Sequence, residues 1–299
     1  MSKLAVVSGG AGGMGLAVAH VIGRDSALLI CDVNQERLDA AKRELAEAGI
    51  ECAATICDIT DRQSVGQLVE HAQQLGAVTS VVHTAGVSPS MGSAEMILRI
   101  NAVGTVLINN AFYEIATEGM AIVNVASVAG HQIPGALAPK RRYKRSLSDT
   151  DRFFAELLAV CKRVPAAMRP GVAYGLSKNF VIWYSKTIAA QFGTKGARVV
   201  SVSPGSFDTP MGKLEESAGA GDLAQLSALK RFGRPSEIAE LLAFCASDKA
   251  GYLTGTDIVC DGGATAAMTP MATLKLARSH RCPRKPNFGS GRADTAPSW

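Results

Sequence analysis

Tyr174 and Lys178 stand four positions apart in the run Tyr174-Gly175-Leu176-Ser177-Lys178. On a helix that spacing puts both side chains on one face. An ammonium beside a phenol favours the phenolate and draws its pKa down from about 10. Such a phenol takes a proton from an alcohol or gives one to a carbonyl. A second set of residues opens the chain. Ser8-Gly9-Gly10-Ala11-Gly12-Gly13-Met14-Gly15 follows an apolar run and precedes a helical pattern. A glycine-rich turn lets the backbone approach a pyrophosphate, and the helix start offers free N–H groups and the positive end of the dipole. Taken alone, the run reads equally as a tight turn. Asp32 ends the next apolar run, at the separation where an acidic residue meets the adenosine ribose of a dinucleotide. Its plainer reading is a helix cap. A carboxylate there accepts hydrogen bonds from the ribose hydroxyls and repels a 2′-phosphate. No basic residue lies within 9–15 or immediately after Asp32. The expected cofactor is therefore NAD.

The elements that must position these groups alternate along the chain. Apolar, β-rich runs at 3–8, 26–32, 51–58, 79–85, 120–127, 197–203 and 256–260 read as buried strands. Helical patterns fall between them at 13–23, 35–49, 62–76, 93–117, 173–192 and 235–247. Seven strands alternating with helices predict an α/β chain of the Rossmann type, a doubly wound parallel sheet with helices on both faces. The expected organisation is one oxidoreductase domain over 1–263 and a basic tail over 264–299. Residues 131–172 are too long for a strand-to-helix connection. Within them, 148–164 carries a helical apolar stripe, Phe153, Phe154, Leu157, Leu158 and Val160, behind a Ser or Asp cap. This segment reads as an ordered helical insertion. The tail lacks apolar periodicity, and its last part reads as disordered.

The glycine spacing is S-G-x-x-x-G-x-G, and here the sequence resembles the short-chain dehydrogenase/reductase family, whose opening motif has Thr in place of Ser8. The resemblance runs over 3–263 except the insertion. It implies that Ser8, Gly9, Gly13, Met14 and Gly15 form the pyrophosphate turn. It also implies that Asp32 and Val33 meet the ribose and that Asp58 and Ile59 meet the adenine. His83-Thr84-Ala85-Gly86 resembles the family's N-N-A-G with both Asn replaced, leaving Ala85 and Gly86 as the backbone contact. Asn101 matches the mid-helix Asn that anchors a water in a proton relay. Ser127 matches the active-site Ser, and Tyr174 and Lys178 match Y-x-x-x-K, with Lys178 also on the nicotinamide ribose. Pro204, Gly205, Phe207 and Thr209 match the P-G segment beside the nicotinamide. Asn101, Ser127, Tyr174 and Lys178 are thus the catalytic set. Ser127 would hold the substrate oxygen and stabilise its developing charge. Plainer roles remain open: Ser127 as a cap and Asn101 as a partner for backbone.

The connection from Gly86 to Asn101 is short, fifteen residues, and that from Ser127 to Tyr174 is long, forty-seven. This layout resembles bacterial hydroxysteroid dehydrogenase/carbonyl reductases and implies a steroid or other bulky apolar alcohol or ketone. The alternative is an NAD-binding regulatory or scaffold member of the same fold with little turnover.

Composition bounds the remaining possibilities. Of 299 residues, 47% are hydrophobic and 19% charged, enough apolar material for a sizeable core and far from a disordered balance. No apolar run is long enough to span a bilayer, and the first residues carry no secretory pattern. Cys31, Cys52, Cys57, Cys161, Cys245, Cys260 and Cys282 form no C-x-x-C pair. They read as reduced thiols in a cytoplasmic protein without a metal site. The net charge is +5, yet 131–172 holds nine Lys/Arg against three Asp/Glu, and the tail holds six against one. The body is therefore mildly acidic. The tail has no interleaved aromatics beyond Phe288 and Trp299 and no recognised binding motif, so nucleic acid is not an expected partner, and neither is a membrane. The expected partners are a small alcohol or ketone and a second copy of the chain, in a homodimer, with a tetramer as the alternative.

Overall fold

The computed structural model describes residues 3–267, and the end of the tail expected to be disordered lies outside the described residues. Seven strands form one parallel sheet: β1 (Lys3–Ser8), β2 (Ala27–Asp32), β3 (Cys52–Ile56), β4 (Ala77–His83), β5 (Ala121–Val125), β6 (Arg198–Pro204) and β7 (Asp257–Cys260). Their order across the sheet is β3-β2-β1-β4-β5-β6-β7. The winding reverses between β1 and β4, and ligands of open α/β sheets bind beyond the strand ends at such a point. There Ser8 and His83 are register partners.

The helices follow in chain order: α1 (Gly13–Ile22), α2 (Gln35–Glu47), α3 (Arg62–Leu75), α4 (Ala94–Leu98), α5 (Thr105–Glu114), α6 (Lys140–Tyr143), α7 (Thr150–Cys161), α8 (Arg169–Gly193), α9 (Pro210–Glu215), α10 (Gly221–Leu226), α11 (Pro235–Ala246) and α12 (Ala264–Ala267). Side chains alternate across the strands, so successive residues feed two cores. Val6 and Leu29 face one core with Val106, Phe180 and Tyr184; Val7 and Ile30 face the other with Val18, Leu38 and Leu242.

Two helices depart from the sequence expectation. The helix expected over 93–117 is present from Ala94 to Glu114, but Arg99–Gly104 forms a π turn within it, between α4 and α5. Such turns carry an extra residue per turn and recur at functional sites. The helix expected from 173 begins at Arg169, with Pro170 in the first turn, where its missing N–H leaves no broken bond.

The insertion is built onto α8. Asp149 caps α7, its carboxylate accepting from the Arg152 N–H at 2.9 Å. Phe153, Leu157 and Cys161 are fully buried, while Phe154, Leu158 and Val160 are partly covered. The Phe153 ring lies 4.4 Å from that of Phe180 on α8. Tyr143 anchors the basic segment: its ring packs on Phe180 and Trp183, and its hydroxyl donates to Asn179 Oδ1 at 2.9 Å.

Candidate active site

The strand ends nearest the switch point carry most of the expected residues. β1 runs into the glycine turn, where Gly9 has φ +69°. A Cβ there would lie 2.8 Å from the backbone of Ala85, so only glycine lets these two chain segments meet. Gly15 packs directly on the Gly9 carbonyl, and Thr209 faces Gly13 across the turn. The turn, the Ala85-Gly86 segment and the 204–209 segment therefore converge. The Thr84 hydroxyl holds this arrangement, donating to the Ser8 carbonyl at 2.7 Å.

The adenosine end is more varied. Asp32 is buried, and its Oδ1 accepts from the Asn34 N–H at 3.3 Å. It does not cap the next helix; Asn34 does. Val33 beside it is exposed. Asp58 is exposed, with Oδ1 taken by the N–H and hydroxyl of Thr60, both at 2.8 Å. Ile59 is turned into the core against Gly104. The absence of a basic residue near Asp32 is corrected by the fold. Arg37, from the first turn of α2, reaches back to within 3.8 Å of Asp32 Oδ2, and its guanidinium covers Gly12. Only the closeness of a helix turn to the strand end puts it there, so a scan of adjacent positions misses it.

The proposed catalytic side chains meet at the start of α8. The Ser127 side chain lies close enough to the Tyr174 phenol to favour its ionised form. Ser127 also plays the plainer role, accepting from the Ala129 N–H at 3.2 Å. Lys178 is buried, and its Nζ donates to the Val125 carbonyl at 2.9 Å. A Cβ on Gly86 would lie 3.2 Å from Asn101 Oδ1 and 3.5 Å from Lys178 Nζ, so these groups crowd one side of the 85–86 segment. Asn101 lies in the π turn and pairs its amide with Val87, accepting from N–H and donating to C=O, each at 2.9 Å. Its Nδ2 also approaches Ser177 Oγ at 3.4 Å. Pro204, Phe207 and Thr209 are buried, Gly205 half-buried. Thr209 caps α9 by accepting from the Gly212 N–H at 3.0 Å.

The electrostatics differ from the sequence expectation at Tyr174. Burial pushes its phenol above the ordinary value; the Ser127 side chain opposes this, and the Glu215 carboxylate adds to it. Burial acts on Lys178 as well and lowers its own pKa to about 8. Glu215 is a residue the sequence did not single out. It ends α9, and its Oε1 accepts from the Ser90 N–H at 2.9 Å, so α9 is tied to the segment after β4. No periodic pattern marks it, since it sits on an irregular excursion between β6 and α11. Among the described residues, no group of His, Cys, Asp and Glu has the arrangement of a metal site. No helix among them is long and apolar enough to cross a membrane.

Comparison with known proteins agrees with this arrangement. A model described as short chain dehydrogenase matches residues 3–139, and one described as enoyl-(acyl carrier protein) reductase matches 159–265. The gap between them, 140–158, lies within the insertion. The short-chain dehydrogenase/reductase bsc3 of Alternaria brassicicola is 32% identical over 273 residues, 90% of this chain and 98% of that protein. D-threitol dehydrogenase of Mycolicibacterium smegmatis is 30% identical, covering 88% and 93%. Diacetyl reductase ((S)-acetoin forming) of Staphylococcus epidermidis is 26% identical, covering 88% and 98%. Among solved structures, a short-chain dehydrogenase/reductase from Serratia marcescens superposes with a TM-score of 0.69 at 24% identity, covering 88% and 98%. A variant of actinorhodin polyketide ketoreductase with NADPH gives 0.70 at 22%, covering 88% and 97%. At those identities the structures speak for the fold alone. The relatives and the sheet order together establish that this chain belongs to the short-chain dehydrogenase/reductase family.

Proposed function

We propose that this chain is an NAD(H)-dependent oxidoreductase that interconverts a secondary alcohol and a ketone. The observation that carries the reading is the Tyr174 phenol, influenced by Ser127 and set 5.9 Å from the buried Lys178 ammonium, beside the glycine turn. The turn suits a dinucleotide, since it leads from a strand end at the switch point straight into the N-terminus of α1, whose free N–H groups favour a pyrophosphate. Ser8, Gly9, Gly13, Met14 and Gly15 would hold the pyrophosphate, Asp32 and Val33 the ribose, Asp58 and Ile59 the adenine. Ala85, Gly86, Lys178, Pro204, Gly205, Phe207 and Thr209 would hold the nicotinamide end. The bound cofactor supplies or accepts the hydride.

The chain's own residues handle the proton. In the reducing direction Tyr174 gives its phenolic proton to the carbonyl oxygen. Ser127 donates a hydrogen bond to that oxygen as its charge develops. The Lys178 ammonium favours the phenolate left behind. Asn101, by family resemblance, anchors the water that returns a proton. NAD is favoured over NADP because the Asp32 carboxylate stands where a 2′-phosphate would fall. Arg37 tempers that preference by lending positive charge nearby.

Two substrate readings stand beside each other. The loop lengths resemble enzymes of steroids and bulky apolar ketones. Glu215 favours a hydroxyketone or vicinal diol, whose second hydroxyl would donate to the carboxylate near Tyr174. Relatives named for acetoin formation and for D-threitol are of that kind. A homodimer in the cytoplasm completes the proposal. The test is NADH absorbance with each nucleotide against steroid alcohols, simple secondary alcohols and vicinal diols. Turnover with none of them, alongside tight NADH binding, would favour the regulatory alternative.

A further inference from the structure

His83 occupies the motif position where the family has Asn, and the mechanism above leaves it without a role. It is fully buried at the end of β4. Its Nδ1 lies 2.7 Å from Ser8 Oγ in the glycine turn. Its Nε2 lies 3.2 Å from Thr105 Oγ1, the first residue of α5. The Thr105 hydroxyl in turn lies 2.8 Å from the carbonyl of Asn101 in the π turn.

The direction of every proton in this chain follows from its last link. A carbonyl only accepts, so the Thr105 hydroxyl must spend its single proton on Asn101. Thr105 Oγ1 can then only accept from His83, which requires a proton on Nε2. Burial, reinforced by the Lys178 charge, depresses the His83 pKa to about 3, so the ring is neutral and Nδ1 is bare. Nδ1 therefore accepts from Ser8. The order is Ser8 O–H to His83, His83 Nε2–H to Thr105, and Thr105 O–H to Asn101. A chain that ends on a carbonyl has no onward acceptor, so it does not conduct protons. It holds its two ends at a fixed separation.

We infer that His83 is a positioning residue whose neutral ring couples the Ser8 cofactor turn to the Asn101 π turn, so that dinucleotide binding and active-site geometry change together. The coupling rests on the NAD(H) reading, whereas the ring tautomer does not. Thr84 supplies a separate brace on the same turn, so the turn should persist when the relay is cut.

The test uses the full chain, with Ser8→Ala, Thr105→Val, the double variant, His83→Asn and His83→Leu, each first checked for a cooperative melt. Nitrogen-15 spectra of labelled histidine should show the His83 ring as the Nε2–H tautomer, without titration between about pH 5 and 9, the range in which an ordinary His changes charge. An Nδ1–H ring, or one that titrates in that range, would overturn the relay. NADH affinity should fall about 3- to 30-fold in each of Ser8→Ala and Thr105→Val, and no further in the double variant. His83→Asn, which keeps an acceptor and a donor, should stay near the unmodified affinity, and His83→Leu should match the double variant. Single effects that multiply in the double variant would mean independent local roles and sink the coupling. Failure of the unmodified protein to bind either dinucleotide would instead refute the proposed function and the coupling with it, leaving the tautomer to be decided by the spectra.

Discussion

The ammonium nitrogen of Lys178 stands 5.9 Å from the centroid of the Tyr174 ring, one helical turn along α8. Lys178 is buried and Tyr174 half-buried, and each shifts toward its neutral form: the phenol upward, the ammonium downward. In the unliganded protein, Tyr174 is therefore a proton donor before it is a base.

Tyr174→Phe should lower turnover about 10²- to 10⁴-fold, the range for a positioned general acid or base. NADH binding should be nearly unchanged, because the hydroxyl is assigned to the substrate. Lys178→Ala should damage both. Rates and fluorescence titration of NADH measure the two effects separately, and a Tyr174→Phe protein that kept most of its activity would refute the assigned mechanism.

Lys178 also makes a stability prediction with a definite sign. Its folded pKa, about 8, lies below the ordinary 10.5. Between those values the unfolded chain binds more protons than the folded one, so stability rises with pH across that window and the burial of charge is costly below it. Lys178→Met should remove that slope and raise stability at pH 7 by about 1–2 kcal/mol, after allowing for the lost hydrogen bond to Val125. Denaturant unfolding at pH 7 and pH 10 would measure it; equal slopes in the two proteins would show that the ammonium is not desolvated as described.

The nucleotide preference turns on a carboxylate and a guanidinium 3.8 Å apart. Asp32→Ala should bring NADP affinity to within about tenfold of NAD, since removing one like charge near a phosphate is worth about 1 kcal/mol or more at this exposure. Arg37→Ala should sharpen the preference for NAD. Equal affinity of the unmodified protein for both nucleotides would contradict the role given to Asp32.

These predictions draw on residues that were unequally legible in the sequence. The Ser8–Gly15 turn, Asp32, Tyr174 and Lys178 lie at ends of strongly patterned strands or on a helix, so local spacing located them, whereas Ser127 was located by family motif. Asn101 was located by motif, but its π turn was not, because the turn lies inside a continuous helix and no change of residue pattern over 93–117 marks it. Arg37 and Glu215 escaped for another reason. Each reaches the site through the fold: Arg37 from the first turn of a neighbouring helix, Glu215 across to Ser90. The two plainer readings of Ser127 and Asn101 were not wrong either. Each residue does make the backbone contact expected of it, which orients the side chain that the proposed chemistry uses.

The last prediction concerns assembly. In this family the helix bearing Y-x-x-x-K commonly packs against its counterpart in a second subunit. Here the insertion already covers part of α8. Phe153 and Tyr143 close over Phe180, and Arg99 stacks on Phe154 at 4.1 Å, joining α7 to the π turn. Those aromatics are buried within one chain, so a partner helix would have to displace them, at about 1.5–3 kcal/mol for each side chain uncovered. The proposed association is therefore through the other face, near β7, where Tyr252 and Val259 remain exposed. Light scattering should give a dimer for the full chain. Phe153→Ala should cost about 3–5 kcal/mol of stability by opening a cavity against Phe180, without changing the dimer. Tyr252→Glu should yield monomers at low concentration. Removal of 136–168 should bare Phe180 and Trp183 and drive higher association. A tetramer of the intact chain, built through α8 with the insertion splayed into solvent, would refute this account.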